Sequence, residues 1–151
     1  MRYVPILLFS FFSLCFHASF SQNKPESSSR LNPTIKLEIF PSIPAEIEGC
    51  SGYYTYTTTA ISKEQYIFLT KTEEFAIIRI NGNNLTLKMV TNTQPTKGIY
   101  KEVYKNNGYT ATLTTKEVKK TGDEGSIDTG TLEITYGATT LIVKIHGKNG
   151  C

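Results

Sequence analysis

Apolar and polar positions alternate most regularly on either side of the dipeptide Asn81-Gly82. The apolar positions that share one face of the two flanking runs are Ala76, Ile78, Ile80, Leu85, Leu87 and Met89. Alternation with a period of two residues is typical of a strand with one buried face. Asn-Gly is typical of a two-residue type I′ turn, because both central residues of that turn need a positive φ. The pattern therefore predicts a β-hairpin in which Ile78 lies opposite Leu85.

Other segments rich in β-branched and aromatic residues are separated by turn signals and predict further strands. The predicted strands cover residues 34–40, 53–60, 66–70, 75–80, 83–90, 99–105, 109–119, 131–136 and 139–146. No amphipathic segment of helical length separates them, so parallel pairing through crossover helices is not expected. The sequence predicts an all-β fold, a single antiparallel meander of about eight strands that closes into a small barrel. A two-sheet β-sandwich is the alternative fold.

Glycine positions predict two further hairpins. Asn106-Asn107-Gly108 predicts a three-residue loop with Gly108 in the left-handed conformation, which places Val103 opposite Ala111. Gly137-Ala138 predicts a type II′ turn, because its leading glycine supplies a positive φ at the first central position. That turn places Leu132 opposite an apolar residue of the last strand.

The N-terminal residues 1–21 are typical of a signal peptide. Arg2 supplies a positive charge, an apolar run follows from Ile6 to Phe16, and small residues precede the predicted cleavage site before Gln22. The polar residues 22–33 predict a flexible lead-in, and residues 34–151 predict the β domain. We therefore expect an exported protein located in the periplasm, the envelope or the extracellular space.

Two other interpretations of the N-terminus compete with this one. A membrane span needs about 20 consecutive apolar residues, and the run from Ile6 to Phe16 is shorter than that. A lipoprotein signal would use Cys15, but Leu14 stands where such signals have a small residue. A signal peptide is preferred over both, with lipidation of Cys15 kept as an open alternative.

Removal of residues 1–21 would leave two cysteines, Cys50 and Cys151. An even pair in an exported chain predicts a disulfide, since oxidising compartments favour its formation. Two free thiols are the alternative. In a closed meander the first and last strands are neighbours, which would bring the two cysteines together.

Charge gives no sign of a nucleic-acid partner. The whole chain has 16 basic and 13 acidic residues, and loss of Arg2 with the signal peptide would leave 15 against 13, a balance of +2. Blocks of like charge and basic patches with interleaved aromatic residues are both lacking in the sequence. Neither nucleic acid nor an anionic membrane surface is an expected partner.

Catalytic and metal-binding residues are scarce. The chain beyond the signal peptide has one histidine, His146, and Ser51 does not have the Gly-x-Ser-x-Gly spacing of a nucleophile elbow. Asp123, Glu124 and Asp128 share one predicted loop, residues 121–128, but their spacing does not match a calcium-binding loop. We expect no enzyme activity, no metal and no cofactor.

A polar connection is predicted between two hairpins at residues 92–100, with Pro95 inside it. Loops held by a rigid scaffold often carry recognition, and Gly98 would let a partner's backbone approach closely. The predicted binding residues are Lys97, Gly98, Tyr100 and Tyr104. The alternative is that Lys97 is an ordinary solvated lysine of a turn.

Several spaced motifs resemble the small secreted β-barrel inhibitors of C-type lysozyme found in bacterial envelopes. The motifs are Cys50, the hairpin from Ile77 to Leu87, the tripeptide Gly98-Ile99-Tyr100 and the terminal Cys151. The resemblance implies a non-catalytic binding protein whose partner is a lysozyme-like hydrolase. Lys97 would then sit between the paired carboxylates of the hydrolase cleft as a charge-assisted donor.

The chain departs from that family at two places. Lys97 stands where the family has serine, and the family's later Trp-x-Lys-Gly motif has no tryptophan counterpart here, only Gly122 after Lys119-Lys120-Thr121. Since those segments carry inhibition in the family, the fold could be shared without the activity. A barrel that carries a small ligand and a purely structural exported domain are the alternative functions. The sequence indicates no oligomeric state.

Overall fold

The computed structural model describes residues 34–151, which form a closed barrel of eight antiparallel strands in sequence order. The strands are β1 (Ser51–Tyr56), β2 (Phe68–Lys71), β3 (Phe75–Ile80), β4 (Asn83–Thr96), β5 (Ile99–Asn106), β6 (Tyr109–Lys120), β7 (Gly125–Tyr136) and β8 (Thr139–Gly150). A single 3₁₀ turn, Ile61–Lys63, lies between β1 and β2. The all-β meander and its closure are thus confirmed. The predicted signal peptide, its cleavage before Gln22, the lead-in and Cys15 lie outside the described residues.

Two hairpins have the predicted register. At the β3–β4 turn, Asn81 and Gly82 both have a positive φ, and Ile78 pairs with Leu85. At the β7–β8 turn, Gly137 has a positive φ and Leu132 pairs with Val143. In both ribbons a turn that needs glycine fixes the register, and the apolar sets of the two strands meet on the inner face.

The predicted register of the β5–β6 hairpin is wrong by one residue. Asn106 pairs with Tyr109, so the turn has two residues, Asn107 and Gly108, and both have a positive φ. Tyr104 therefore pairs with Ala111, and both side chains are buried inside the barrel. A one-residue slip would turn Tyr104 outward and expose its ring to water. The observed register is favoured because it keeps this apolar area buried.

Residues 34–40 do not form the predicted strand. They make one isolated bridge, between Leu37 and Ile80, and the Glu38 amide donates to the Arg79 carbonyl at 2.9 Å. The reason is the pairing of β3, which is bound to β4 along its length and to β2 as far as Ile78. A closed barrel leaves little free edge, so the segment finds a partner only where β3 extends past β2.

Side chains fill the barrel interior. The buried cluster consists of Ile35, Leu37, Tyr54, Ile67, Phe68, Ala76, Ile78, Ile80, Leu87, Tyr104, Ala111, Leu113, Leu132, Ile134 and Ile145. The rings of Tyr54 and Tyr104 pack against Phe68 at centroid distances of 6.3 and 5.8 Å. Eight strands enclose a space that side chains can fill, and here the three aromatic rings occupy it together with aliphatic side chains.

A second apolar cluster lies on the outer face of β2 and β3. It joins Phe40 and Ile47, which precede β1, to Tyr66, Leu69 and Ile77. The chain before β1 therefore covers strands whose two faces are both apolar. Within residues 34–151, no helix is both long and apolar enough to cross a membrane.

The barrel closes where β1 pairs with β8, from Ser51 opposite Gly150 to Tyr56 opposite Ile145. Cys50 and Cys151, one residue beyond this ladder on each strand, form a disulfide, as the cysteine count predicts. We call this the disulfide end of the barrel. Because the meander is antiparallel, the β2–β3, β4–β5 and β6–β7 turns lie at the same end.

The predicted polar connection between hairpins is instead strand. β4 continues to Thr96, and its last part, from Thr91, pairs with β5 alone among the described strands. Two register shifts interrupt this pairing. The β4–β5 ribbon therefore extends past β3 at the disulfide end, and a two-residue turn at Lys97-Gly98 closes it.

Candidate functional site

The structure brings three of the four predicted binding residues together and separates the fourth. Lys97 and Gly98 form the β4–β5 turn, with φ values of 56° and 76°, and both are exposed. Tyr100 follows on β5 and is 43 % exposed. Tyr104 is fully buried, because its position on β5 faces the barrel interior next to Ala111. It is therefore a core residue and not a surface contact.

A cleft of about 180 Å³ lies beside Tyr100, at the disulfide end of the barrel. Residues on five strands line it, among them Tyr54, Tyr100, Glu102, Glu117, Asp128 and Asn149. Glu102 lies two residues from the buried Tyr104 and Asp128 lies four residues from the buried Leu132, so each carboxyl is on the same inward face of its strand as that buried residue. The alternation that fills the barrel with apolar groups thus continues toward its end with polar ones.

Glu102 accepts a hydrogen bond from a tyrosine of the barrel interior. The Tyr104 hydroxyl donates to Glu102 Oε2 at 2.5 Å. Burial raises the pKa of the Glu102 carboxyl, and the hydrogen bond from Tyr104 opposes part of that shift. Burial and the neighbouring Glu102 together raise the pKa of Tyr104, so its hydroxyl stays protonated and remains a donor.

Asp128 is the second carboxyl of the cleft and, unlike the partly buried Glu102, it is buried, with 5 % of its surface exposed. The Ser126 hydroxyl donates to Asp128 Oδ1 at 2.8 Å. Burial raises the pKa of Asp128 and the negative Glu117 adds to this effect, while hydrogen bonds from Ser126 and Asn149 oppose it. Burial also raises the pKa of Tyr54, and the charges of Asp128 and Glu102 add to that increase.

The charge of this cleft is unbalanced. Glu102, Glu117 and Asp128 all contribute to its lining, whereas none of the described residues that line it is a lysine or an arginine. Among residues 34–151, no group of three histidine, cysteine or acidic residues has an arrangement that could hold a metal ion. The cleft can therefore accept hydrogen bonds from a cationic or neutral donor at its rim, next to the exposed ring of Tyr100.

Sequence reasoning missed Glu102 and Asp128 as residues of this site. The sequence pattern places Asp128 in a charged loop, but β7 begins at Gly125 and puts Asp128 inside the barrel. The period of two could have found it, since Asp128 and Leu132 are separated by four residues on one strand. Glu102 could have been found in the same way once the β5–β6 turn is given two residues.

The two residues considered for catalysis, His146 and Ser51, do not contact each other by any hydrogen bond that the described residues show. His146 Nε2 lies 2.6 Å from the Thr59 carbonyl oxygen, so this nitrogen donates a hydrogen bond to the backbone. The hydroxyls of Ser51 and Tyr66 are buried, and neither has a hydrogen-bond partner within residues 34–151. An unpaired buried hydroxyl costs about 1–3 kcal/mol, so these two positions stand out from the rest of the core.

In comparisons with protein-family models, curated proteins and solved structures, no match to this chain was found.

Proposed function

We propose that this chain is an exported, non-catalytic binding protein of the bacterial envelope and that its partner is a lysozyme-like hydrolase. The partner would bind at the disulfide end of the barrel, with Lys97, Gly98 and Tyr100 at the centre of the contact. Lys97 would donate hydrogen bonds to the paired carboxylates of the hydrolase cleft, where a charge-assisted pair is stronger than a neutral one.

The β4–β5 ribbon supports this proposal most directly. Its turn carries an exposed lysine in a fixed left-handed conformation, and the ribbon extends past β3. Pairing of Ile99 with Lys116 and of Tyr100 with Thr115 holds the β5 side of the ribbon against β6. A preorganised turn loses less conformational entropy on binding than a flexible loop, which favours affinity.

The filled interior argues for surface recognition and against a ligand carrier. A lipocalin-like carrier holds its ligand in a central cavity, and here Tyr54, Phe68 and Tyr104 occupy the middle of the barrel with no more than 2 % of their surface exposed. Any ligand inside would have to displace packed aromatic rings. Binding through exposed groups at the barrel end requires no such rearrangement.

The test is inhibition of cell-wall lysis. The purified protein is mixed with C-type, G-type and I-type lysozymes, and we expect it to inhibit the C-type enzyme at micromolar concentration. Lys97→Asn removes the charge but suits the positive φ of this turn, so the hairpin is retained. Since a hydrogen bond to a charged group contributes about 1.5–3 kcal/mol, this variant should need at least about tenfold more protein for half-inhibition.

Lys105→Asn is the matched control, because Lys105 is an exposed lysine near the far end of β5, the strand that follows the Lys97 turn. It should inhibit as well as the wild type, and Tyr100→Ala should be impaired. Failure of the wild type to inhibit any of the three enzymes at micromolar concentration would remove the lysozyme partner. If the Lys97 and Tyr100 variants inhibit as well as the wild type, the partner does not bind at this surface.

A further inference from the structure

A second cleft at the disulfide end opens on the outer face of the barrel and has a volume of about 290 Å³. Its lining includes Ser51, Tyr53, Thr121, Glu124, Lys148 and Asn149, none of which belongs to the binding turn proposed above. Ligand pockets usually measure about 300–1,000 Å³, so this cleft fits a small ligand or one unit of a longer one. A ligand could bind here whether or not the β4–β5 turn binds a hydrolase.

Ser51 is the first reason to assign a ligand here. It is 1 % exposed, it lines the cleft, and its hydroxyl has no hydrogen-bond partner among residues 34–151. Buried polar groups are nearly always paired, so an orphaned hydroxyl beside an open cleft indicates a partner that comes from outside the chain. A hydroxyl both donates and accepts, and it rotates to suit either kind of partner.

Tyr53 supplies a fixed aromatic wall. Its ring packs against Tyr66 at a centroid distance of 5.4 Å, and Lys148 Nζ lies 5.2 Å from the Tyr53 centroid and 5.8 Å from that of Tyr66. Glu64 Oε1 lies 4.0 Å from the same ammonium group. The ring is therefore positioned before any ligand arrives, with Tyr66 packed against it and the Lys148 ammonium over one of its faces, and part of it lines the cleft.

The charged side chains of the lining are balanced. Lys148 contributes one positive charge and Glu124 one negative charge, while Ser51, Thr121 and Asn149 add neutral donors and acceptors. A charged ligand would meet a like charge, whereas a neutral ligand with many hydroxyls could pair with groups of both kinds. An aromatic wall beside mixed neutral hydrogen-bonding groups suits the apolar face and hydroxyl rim of a sugar ring.

From these contacts we propose that the cleft lined by Ser51, Tyr53 and Lys148 binds one unit of a neutral saccharide. The sugar ring packs on the part of Tyr53 that lines the cleft, and one of its hydroxyls pairs with Ser51 Oγ. Lys148, which lies over the Tyr53 ring and lines the cleft, borders the bound sugar.

The test is a titration of the full chain with cellotriose and N,N′,N″-triacetylchitotriose, both neutral, followed by amide chemical shifts. We expect saturable shifts at Ser51, Tyr53 and Lys148 with a millimolar dissociation constant, and none at these positions with succinate as an anionic probe. Ser51→Ala should weaken binding roughly two- to tenfold, the range of one hydrogen bond. It should leave the melting temperature equal or higher, because it removes an unpaired buried group.

Ser62→Ala, at an exposed serine of the 3₁₀ turn, is the matched control and should bind like the wild type. The proposal is overturned if neither trisaccharide shifts the resonances of the cleft at about 10 mM, which corresponds to binding weaker than about 3 kcal/mol. It is also overturned if succinate binds there instead, or if Ser51→Ala binds as tightly as the wild type.

Discussion

The disulfide between Cys50 and Cys151 lies at the seam of the barrel, one residue beyond the pair formed by Ser51 and Gly150. Replacement of both cysteines by serine removes the covalent link but leaves the six-residue β1–β8 ladder able to form. The double variant is preferred to a single one, because a lone cysteine could cross-link two molecules. We expect the variant to fold into the same barrel with much lower stability.

The magnitude follows from the length of chain that the link closes. The two cysteines are 101 residues apart in sequence. In the chain-entropy model a loop of about 100 residues contributes about 4.7 kcal/mol by restricting the unfolded state. A domain of this size shifts its melting temperature by about 4 °C per kcal/mol, so the loss is on the order of 15–20 °C. Total stabilities are about 5–15 kcal/mol, which makes this a large fraction of the whole.

The assay is thermal unfolding followed by circular dichroism, with three samples compared. The oxidised wild type should melt highest, and the double serine variant should match the wild type in reducing buffer. Agreement between the last two assigns the loss to the link and not to the serine side chains. A difference of less than about 4 °C between oxidised and reduced protein would refute the entropic reasoning, since the long loop would then contribute almost nothing.

Two further predictions concern single side chains. Gly130→Ala should destabilise the barrel by about 1–3 kcal/mol or prevent folding, because a Cβ there would overlap the carbonyl oxygen of Thr114 on the neighbouring strand, and the unfolding free energy in urea measures this. Asp128→Asn should melt above the wild type at neutral pH, because the raised pKa of the buried carboxyl makes its ionised form unfavourable in the folded state. Because the pKa is raised, the wild type regains stability as the pH falls, and the difference in melting temperature between the two proteins should shrink as the pH approaches 3.8, the ordinary pKa of an aspartic acid. A difference that stays constant from neutral pH down to this value would contradict the raised pKa.

The three hairpins show how much of the strand register can be predicted from the sequence. Asn81-Gly82 offers one two-residue turn, and Gly137 offers one position for a positive φ, so each register is determined locally. Asn106-Asn107-Gly108 allows two choices, and the preference of Asn107 for the left-handed region does not decide between them. The decision belongs to the tertiary structure, in which Tyr104 gains burial only with the shorter turn.

The candidate site was harder to predict than the fold, for a physical reason. Alternation identifies the inner face of a strand by its apolar residues, and at the barrel end the inner positions are polar. Glu102 and Asp128 therefore look like solvent-facing residues in the sequence, although burial raises the pKa of both. The continuation of β4 to Thr96 was missed for a similar reason. Its outer part is polar, and pairing with β5 holds it as a strand without an apolar pattern.

That outer part of β4 has a free edge, which restricts how any partner can bind there. Among the described strands it pairs with β5 alone, two register shifts bend it, and Pro95 has no amide hydrogen to donate. Bulges and prolines on an edge prevent a foreign strand from extending the sheet. Recognition by strand addition is therefore disfavoured at this edge. Under the proposed function, a partner of the β4–β5 ribbon would therefore contact exposed side chains at its tip, among them Lys97 and Tyr100.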